Sequence, residues 1–209
     1  MSFRKEIKST LSKTKINVLK KWIQDNGGTI LYPERTINSI YFDNLNLKMY
    51  QESAEGVLPR KKIRLRIYDN ENLIINIFKK GLLEYKISSV EGRFKISKKK
   101  FQVFANTMML KDNNYGICEP KLNIIYKRTY YKIKNVRLTI DREIFYKKIK
   151  YKKIMPYAIR DNLNVVELKY KNEEVDKKIL DDFPFQFGRF SKYCRGIEFT
   201  QKKICDEII

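Results

Sequence analysis

Lys62-Ile63-Arg64-Leu65-Arg66-Ile67 alternates cation and aliphatic side chain without a break. On a β-strand, residues two apart share one face. The stretch therefore predicts a strand with Lys62, Arg64 and Arg66 on one side and Ile63, Leu65 and Ile67 on the other. Adjacent cations repel one another, so an anion or facing carboxylates must compensate them. The same rhythm recurs in Arg4-x-Glu6-x-Lys8, Glu84-x-Lys86, Tyr126-x-Arg128, Arg137-x-Thr139-x-Asp141 and Glu167-x-Lys169. Strands that each turn charge to one side predict a closed antiparallel barrel with an ionic lining, mostly cationic and partly carboxylate.

Taken singly, each segment has a plainer reading. Arg4, Glu6 and Lys8 suit a solubilised edge strand, and Glu84 with Lys86 suits a cross-strand ion pair. Glu167 stands among Val165, Val166 and Leu168, so its carboxylate is either paired with a cation or bound to metal. The Lys98–Lys100 and Lys147–Lys153 runs read as solvated surface. Gathered in one interior, however, the cations would repel strongly. At an effective dielectric near 20 each close like-charged pair costs about 4 kcal/mol at 4 Å. Phosphates would relieve this, and carboxylates without histidine favour a hard, oxygen-seeking metal, Mg2+ or Mn2+.

Composition points the same way. The 209 residues carry a net charge of +21, which calls for an anionic partner such as nucleic acid, a membrane surface or a phosphate polymer. Lysine outnumbers arginine 33 to 12, yet Arg4, Arg64, Arg66, Arg128 and Arg137 fall on the alternating faces. Guanidinium is a planar fork matched to phosphate oxygens, whereas ammonium is a point charge. The absence of histidine excludes His-based general bases, His-metal sites and Ser-His-Asp triads. Cys118, Cys194 and Cys205 have neither disulfide nor metal-ligand spacing, which predicts a reducing, cytoplasmic setting. Met1–Ile16 is charged throughout, so no secretory signal is expected, and no apolar run is long enough to span a bilayer.

A hydrophobic content of 43% and no Gly/Ser/Pro linker predict a single domain over residues 1–209. Expected strands cover residues 1–10, 36–43, 60–68, 72–78, 82–89, 122–133, 136–141, 145–154 and 164–170. Expected helices run from a Ser12 or Thr14 cap to Asn26, over 46–54, 97–108 and 174–182, and onward from Ser191. This order is α+β on an antiparallel sheet. No Walker-type or G-x-G-x-x-G loop is present, so side chains must hold any nucleotide.

In order along the chain stand Arg4-x-Glu6-x-Lys8, Ser39-Ile-Tyr-Phe-Asp-Asn44, Lys62-Ile-Arg64-Leu-Arg66-Ile-Tyr68, Glu84-Tyr-Lys86, Tyr126-Lys-Arg128-Thr, Val136-Arg137-Leu-Thr-Ile-Asp141, Val166-Glu167-Leu-Lys169 and Arg189-Phe-Ser191-Lys192-Tyr-Cys-Arg195-Gly. Together they resemble the triphosphate tunnel metalloenzyme superfamily, and within it the VTC-type polyphosphate polymerase domain. The first strand resembles that superfamily's E-x-E-x-K signature with Arg4 in the first place. The resemblance implies an eight-stranded antiparallel tunnel barrel with flanking helices. It implies transfer of the γ-phosphoryl of ATP to inorganic polyphosphate with Mn2+ or Mg2+.

In that reading Lys8, Arg64, Arg66, Lys86, Arg128, Arg137 and Lys192 are catalytic. Arg4, Lys62, Tyr126 and Ser191 contact substrate, and Glu167 and Glu6 hold the metal. Ser191 and Lys192 match the helix that closes on the tunnel. ATP and polyphosphate are the expected partners, nucleic acid is not, and a membrane-protein partner is left open. A metal-dependent triphosphatase is the second reading; the departure at Arg4 removes a metal ligand that hydrolytic relatives use. A basic polyanion-binding module is the third.

Overall fold

The structure, a computed structural model, describes residues 5–71, 73–90, 92–98, 108–171 and 173–202. Arg4 and most of the helix expected over 97–108 lie outside them. The main sheet runs β1 (Lys5–Leu11), β11 (Asn164–Tyr170), β8 (Val136–Lys150), β7 (Gly116–Ile133), β2 (Thr29–Asp43), β3 (Arg60–Ile67), β4 (Leu82–Ser89), β5 (Gly92–Lys98). Short strands β6 (Leu110–Asp112), β9 (Lys153–Ile154) and β10 (Ile159–Arg160) pair with β7 or β8. The described registers are antiparallel. The expected α+β antiparallel class is what forms.

The chain divides into two compact units. One comprises Met1–Thr36, Tyr126–Ile144 and Asp161–Phe190; the other comprises Ile37–Ile125, Phe145–Arg160 and Ser191–Ile209. In the first unit, helix α1 (Lys15–Asp25) lays Ile16, Leu19 and Ile23 against Leu138, Ile140, Val166 and Leu168. Ile179 of helix α4 (Glu173–Asp181) and Phe183 join the same core. Thr14 precedes α1, but no side chain caps it. Ser12 Oγ and Thr14 Oγ1 instead bond each other at 2.8 Å, which corrects the expected cap. The helix stops as expected at Gly27, whose φ of +69° suits a residue without a Cβ.

In the second unit, Asp43 at the end of β2 organises two helices. Its buried carboxylate accepts hydrogen bonds from the amides of Met49 and Tyr50, at 3.0 and 2.9 Å, at the start of helix α2 (Lys48–Glu55). It also accepts one from the hydroxyl of Tyr193, at 2.6 Å, in helix α5 (Lys192–Lys202). Helix α5 lies on Leu122 and Tyr146, close enough that a Cβ on Gly196 would meet them at 2.5 and 2.6 Å.

Several elements differ from expectation. Where a strand was expected over 72–78, the described residues form none; helix α3 (Ile74–Lys80) takes up residues 74–78 of that stretch. Ile74, Ile77 and Phe78 fit one helical stripe, and Ile77 and Phe78 are buried. The Glu71 carboxylate accepts from Leu73 N and Asn76 Nδ2, each at 2.9 Å, and so fastens the start of the helix. Lys79 and Lys80 complement its C-terminal dipole. Second, β8 runs unbroken to Lys150, through a left-handed Glu143 (φ 51°), before a tight turn at Tyr151-Lys152. The helix expected from Ser97 is overruled at its first residue, since Ser97 pairs with Glu84 in β5.

Candidate active site

The first unit carries a carboxylate-bearing face. Glu6 lies opposite Lys169, and Lys169 opposite Arg137; Lys8 lies opposite Glu167, and Glu167 opposite Thr139. The pleat therefore sets Glu6, Lys8, Glu167, Lys169, Arg137, Thr139 and Asp141 on one side of β1, β11 and β8. Ile7, Leu138, Ile140, Val166 and Leu168 point to the core. The Lys169 ammonium bridges the two glutamates, 2.7 Å from Glu167 Oε1 and 3.4 Å from Glu6 Oε2. Lys8 Nζ stands 3.5 Å from Glu6 Oε1 and donates to Phe190 O at 3.1 Å.

On β7, Arg128 grips the buried Asp141 with both arms of its fork: Nε to Oδ1 at 2.5 Å and Nη2 to Oδ2 at 2.7 Å. Its guanidinium lies 5.4 Å from the centroid of the Tyr126 ring. Burial pulls its pKa down, but Asp141 first, then Tyr126 and Glu167, outweigh that and raise it, so the cation is permanent. Arg137 Nε and Thr139 Oγ1 are buried with no hydrogen-bond partner among the described residues. Such atoms are costly unless something accepts from them or donates to them.

The second unit carries a cationic face. Register places Ser39 opposite Arg66 and Tyr41 opposite Arg64; Arg64 lies opposite Glu84, and Lys62 opposite Lys86. Glu84, only 2% exposed, is the common anion. Arg64 Nε reaches its Oε2 at 2.6 Å, Arg66 Nη1 stands 3.8 Å from the same oxygen, and Lys95 Nζ pairs with Oε1. Burial alone would push this carboxyl up; Arg64, Arg66 and Lys95 overcome it and hold the pKa at about 2.

Tyr41 accepts from Arg64 Nη1 at 3.0 Å and stacks on Tyr193 at 5.1 Å. Burial raises the phenol, yet Arg64, Arg66 and Lys192 bring it down to about 8. Ser39 Oγ accepts from Arg66 Nε at 3.2 Å. Ser191 Oγ receives Lys62 Nζ at 2.8 Å and the Cys194 amide at 3.3 Å, so it caps α5 and ties β3 to it.

The structure thus gathers the sequence-derived residues into two sets. Lys8, Glu6, Tyr126, Arg128, Arg137 and Glu167 lie in the first unit, with Asp141 and Lys169. Lys62, Arg64, Arg66, Lys86, Ser191 and Lys192 lie in the second. The sequence reading sets Glu84 in the ionic lining without a role of its own and gives none to Tyr41 or Lys95. The signal for Tyr41 was present: Ser39, Tyr41 and Asp43 share the two-residue period of β2. Among the described residues no group of three acidic, Cys or His ligands could by itself enclose a metal.

The fold is found in solved structures at low sequence identity. A provisionally named adenylate cyclase from Bacillus halodurans is 12% identical, with a TM-score of 0.56 over 91% of this chain and 95% of its own. A second provisionally named adenylate cyclase, from Vibrio parahaemolyticus, is 11% identical, at 0.53 over 92% and 96%. A chain of the Schizosaccharomyces pombe Mediator head module is 8% identical, at 0.53 over 88% and 96%. No curated protein matches the sequence. These likenesses define an α+β antiparallel protein of the triphosphate tunnel fold. Its family is narrower: the VTC domain model matches residues 3–201, and the chain belongs to that family.

Proposed function

We propose that this chain is a metal-dependent polyphosphate polymerase that moves the γ-phosphoryl group of ATP onto a growing polyphosphate chain. The observation that carries the reading is the cationic face of the second unit. Lys62, Arg64, Arg66, Lys86 and Lys95 share it with Glu84, the one carboxylate that the described registers place among them. Glu84 sets the direction of the forks but leaves the face with excess positive charge, which suits a chain of phosphates. Membership of the VTC family supports the same reading.

Arg64 and Arg66 hold the triphosphate, and Lys62, Lys86, Lys192 and Ser191 line its path. Phosphoryl transfer needs positioning and charge stabilisation more than covalent help. The acceptor is a phosphate oxygen that is already ionised, so no histidine base is required. In the first unit Arg128 is fixed by Asp141, and Arg137 offers its unpartnered buried Nε to an acceptor oxygen. Lys8 neutralises the incoming or leaving end.

The donor chemistry suits Mg2+ or Mn2+. Glu6 and Glu167 already share one cation, the Lys169 ammonium. Mg2+ commonly takes one or two carboxylates and completes its shell with water and phosphates. Bound there, the ion would neutralise charge on phosphate oxygens.

Purified protein incubated with ATP and Mn2+ should yield long polyphosphate on a gel. Arg66→Ala and Glu167→Ala should each lower turnover at least a hundredfold, and normal turnover in both would refute the site. Free phosphate without chains would favour the triphosphatase reading. Among the described residues no helix is long and apolar enough to cross a membrane.

A further inference from the structure

The lysine run 147–153 has no part in the phosphoryl-transfer faces, yet it does not simply dissolve into solvent. Within the second unit, Lys121, Lys148, Lys150 and Lys152 surround a cavity of about 470 Å³ with an apolar floor that includes Leu47, Ile149 and Ile197. Glu119 pairs with Lys121 and is the only acidic residue of the lining among the described residues, whose rim therefore carries a surplus of positive charge. The crowding is felt at Lys148, whose pKa is lowered first by burial and then by Lys150 and Lys121.

The rim also holds two apolar side chains in water: Leu45 is 82% exposed and Tyr151 94%. Tyr151 and Lys152 form the two-residue tip of the β8–β9 hairpin, with φ of 47° and 60°. Both central residues are thus left-handed, a geometry that normally selects Asn-Gly. Tyr151 and Lys152 occupy it nonetheless, and both are exposed.

We propose that this hairpin tip and the lysine-rimmed cavity dock the protein on an anionic phospholipid surface. Lysines answer the headgroup charge, Tyr151 and Leu45 enter the interfacial layer, and the apolar cavity floor accepts an acyl segment. A free phosphate polymer would use the lysines but gain nothing from Leu45, Ile149 or Tyr151. This inference does not depend on the polymerase reading.

The test is co-sedimentation of the full chain with phosphatidylcholine vesicles, with and without phosphatidylserine. Salt is raised to roughly 0.3 M so that the remaining positive surface is screened. Wild type should pellet only with the anionic vesicles. The charge-neutral double variant Leu45→Ser/Tyr151→Ser should bind at least about tenfold more weakly, since both exposed side chains lose their interfacial burial. Lys150→Gln/Lys152→Gln should also bind more weakly, by no more than about fivefold per lysine at this salt. Val90→Ser, which alters an equally exposed apolar residue on the β4–β5 turn (89% exposed), should bind like wild type. Wild-type binding by Leu45→Ser/Tyr151→Ser overturns the proposal, and if only the lysine variant weakens, the rim is a general polyanion site and the proposal fails equally.

Discussion

Glu84 sets the chemistry of the cationic face, and its titration can be read directly. Its folded pKa is about 2 against an ordinary value of 4.5. Because the folded value is depressed, the stabilisation is complete above pH 4.5, shrinks as pH falls, and is gone below about 2. The gap corresponds to about 3 kcal/mol for this buried group. Denaturant melts of wild type and Glu84→Gln should therefore converge as pH drops from 5 to 2; a constant difference would show that Glu84 is not held by its cations. Tyr41 offers a second reading of the same field. A phenolate absorbance titration should show one tyrosine ionising near pH 8, absent in Tyr41→Phe. An unchanged titration in that variant would contradict the placement of Arg64 and Arg66 around it. Both residues stand in motifs of the sequence, but their roles were not legible there. Tyr41 sits in an apolar run, and Glu84 looked like half of an ordinary pair with Lys86, because Lys95 lies on a strand that was not foreseen.

At the scale of elements, legibility followed the strictness of the pattern. Residues 62–67 of β3 alternate without a break and residues 167–170 of β11 keep the same period, and both strands formed where expected. Ile74-Ile75-Asn76-Ile77-Phe78 is short, apolar and β-branched, which favours a strand by composition. The cap from Glu71 and the i, i+3, i+4 burial of Ile74, Ile77 and Phe78 decide for a helix, and both depend on tertiary packing. β5 was hidden because the sequence reading begins a helix at Ser97, where the strand is still running. Helix α5 gives a sharp test. Alanine is about 1 kcal/mol better than glycine inside a helix, yet a Cβ on Gly196 would stand 2.5 Å from Leu122 Cδ2 and 2.6 Å from Tyr146 Cδ1. Gly196→Ala should therefore lower the unfolding free energy by a net of about 1–3 kcal/mol, on the scale typical of overpacking, seen as a lower urea midpoint. A more stable variant would mean α5 does not lie against those side chains.

For the whole molecule, the sequence disclosed the fold class because charge on one face and core on the other recur strand after strand. The separation of labour was not legible. Glu6, Asp141 and Glu167 fall in the first unit, whereas the cations beside a lone Glu84 fall in the second, and only the fold assigns each strand segment to its unit. The net charge of +21 makes nonspecific anion binding inevitable, so the decisive experiment must hold charge constant. Calorimetric titration of tripolyphosphate compares wild type, Arg64→Ala/Arg66→Ala and the charge-matched Lys150→Ala/Lys152→Ala. The account predicts that the arginine variant loses at least a hundredfold in affinity while the lysine variant stays within a few fold of wild type. Equal loss in the two variants would contradict it, because binding would then follow total charge and not the alternating arginine face.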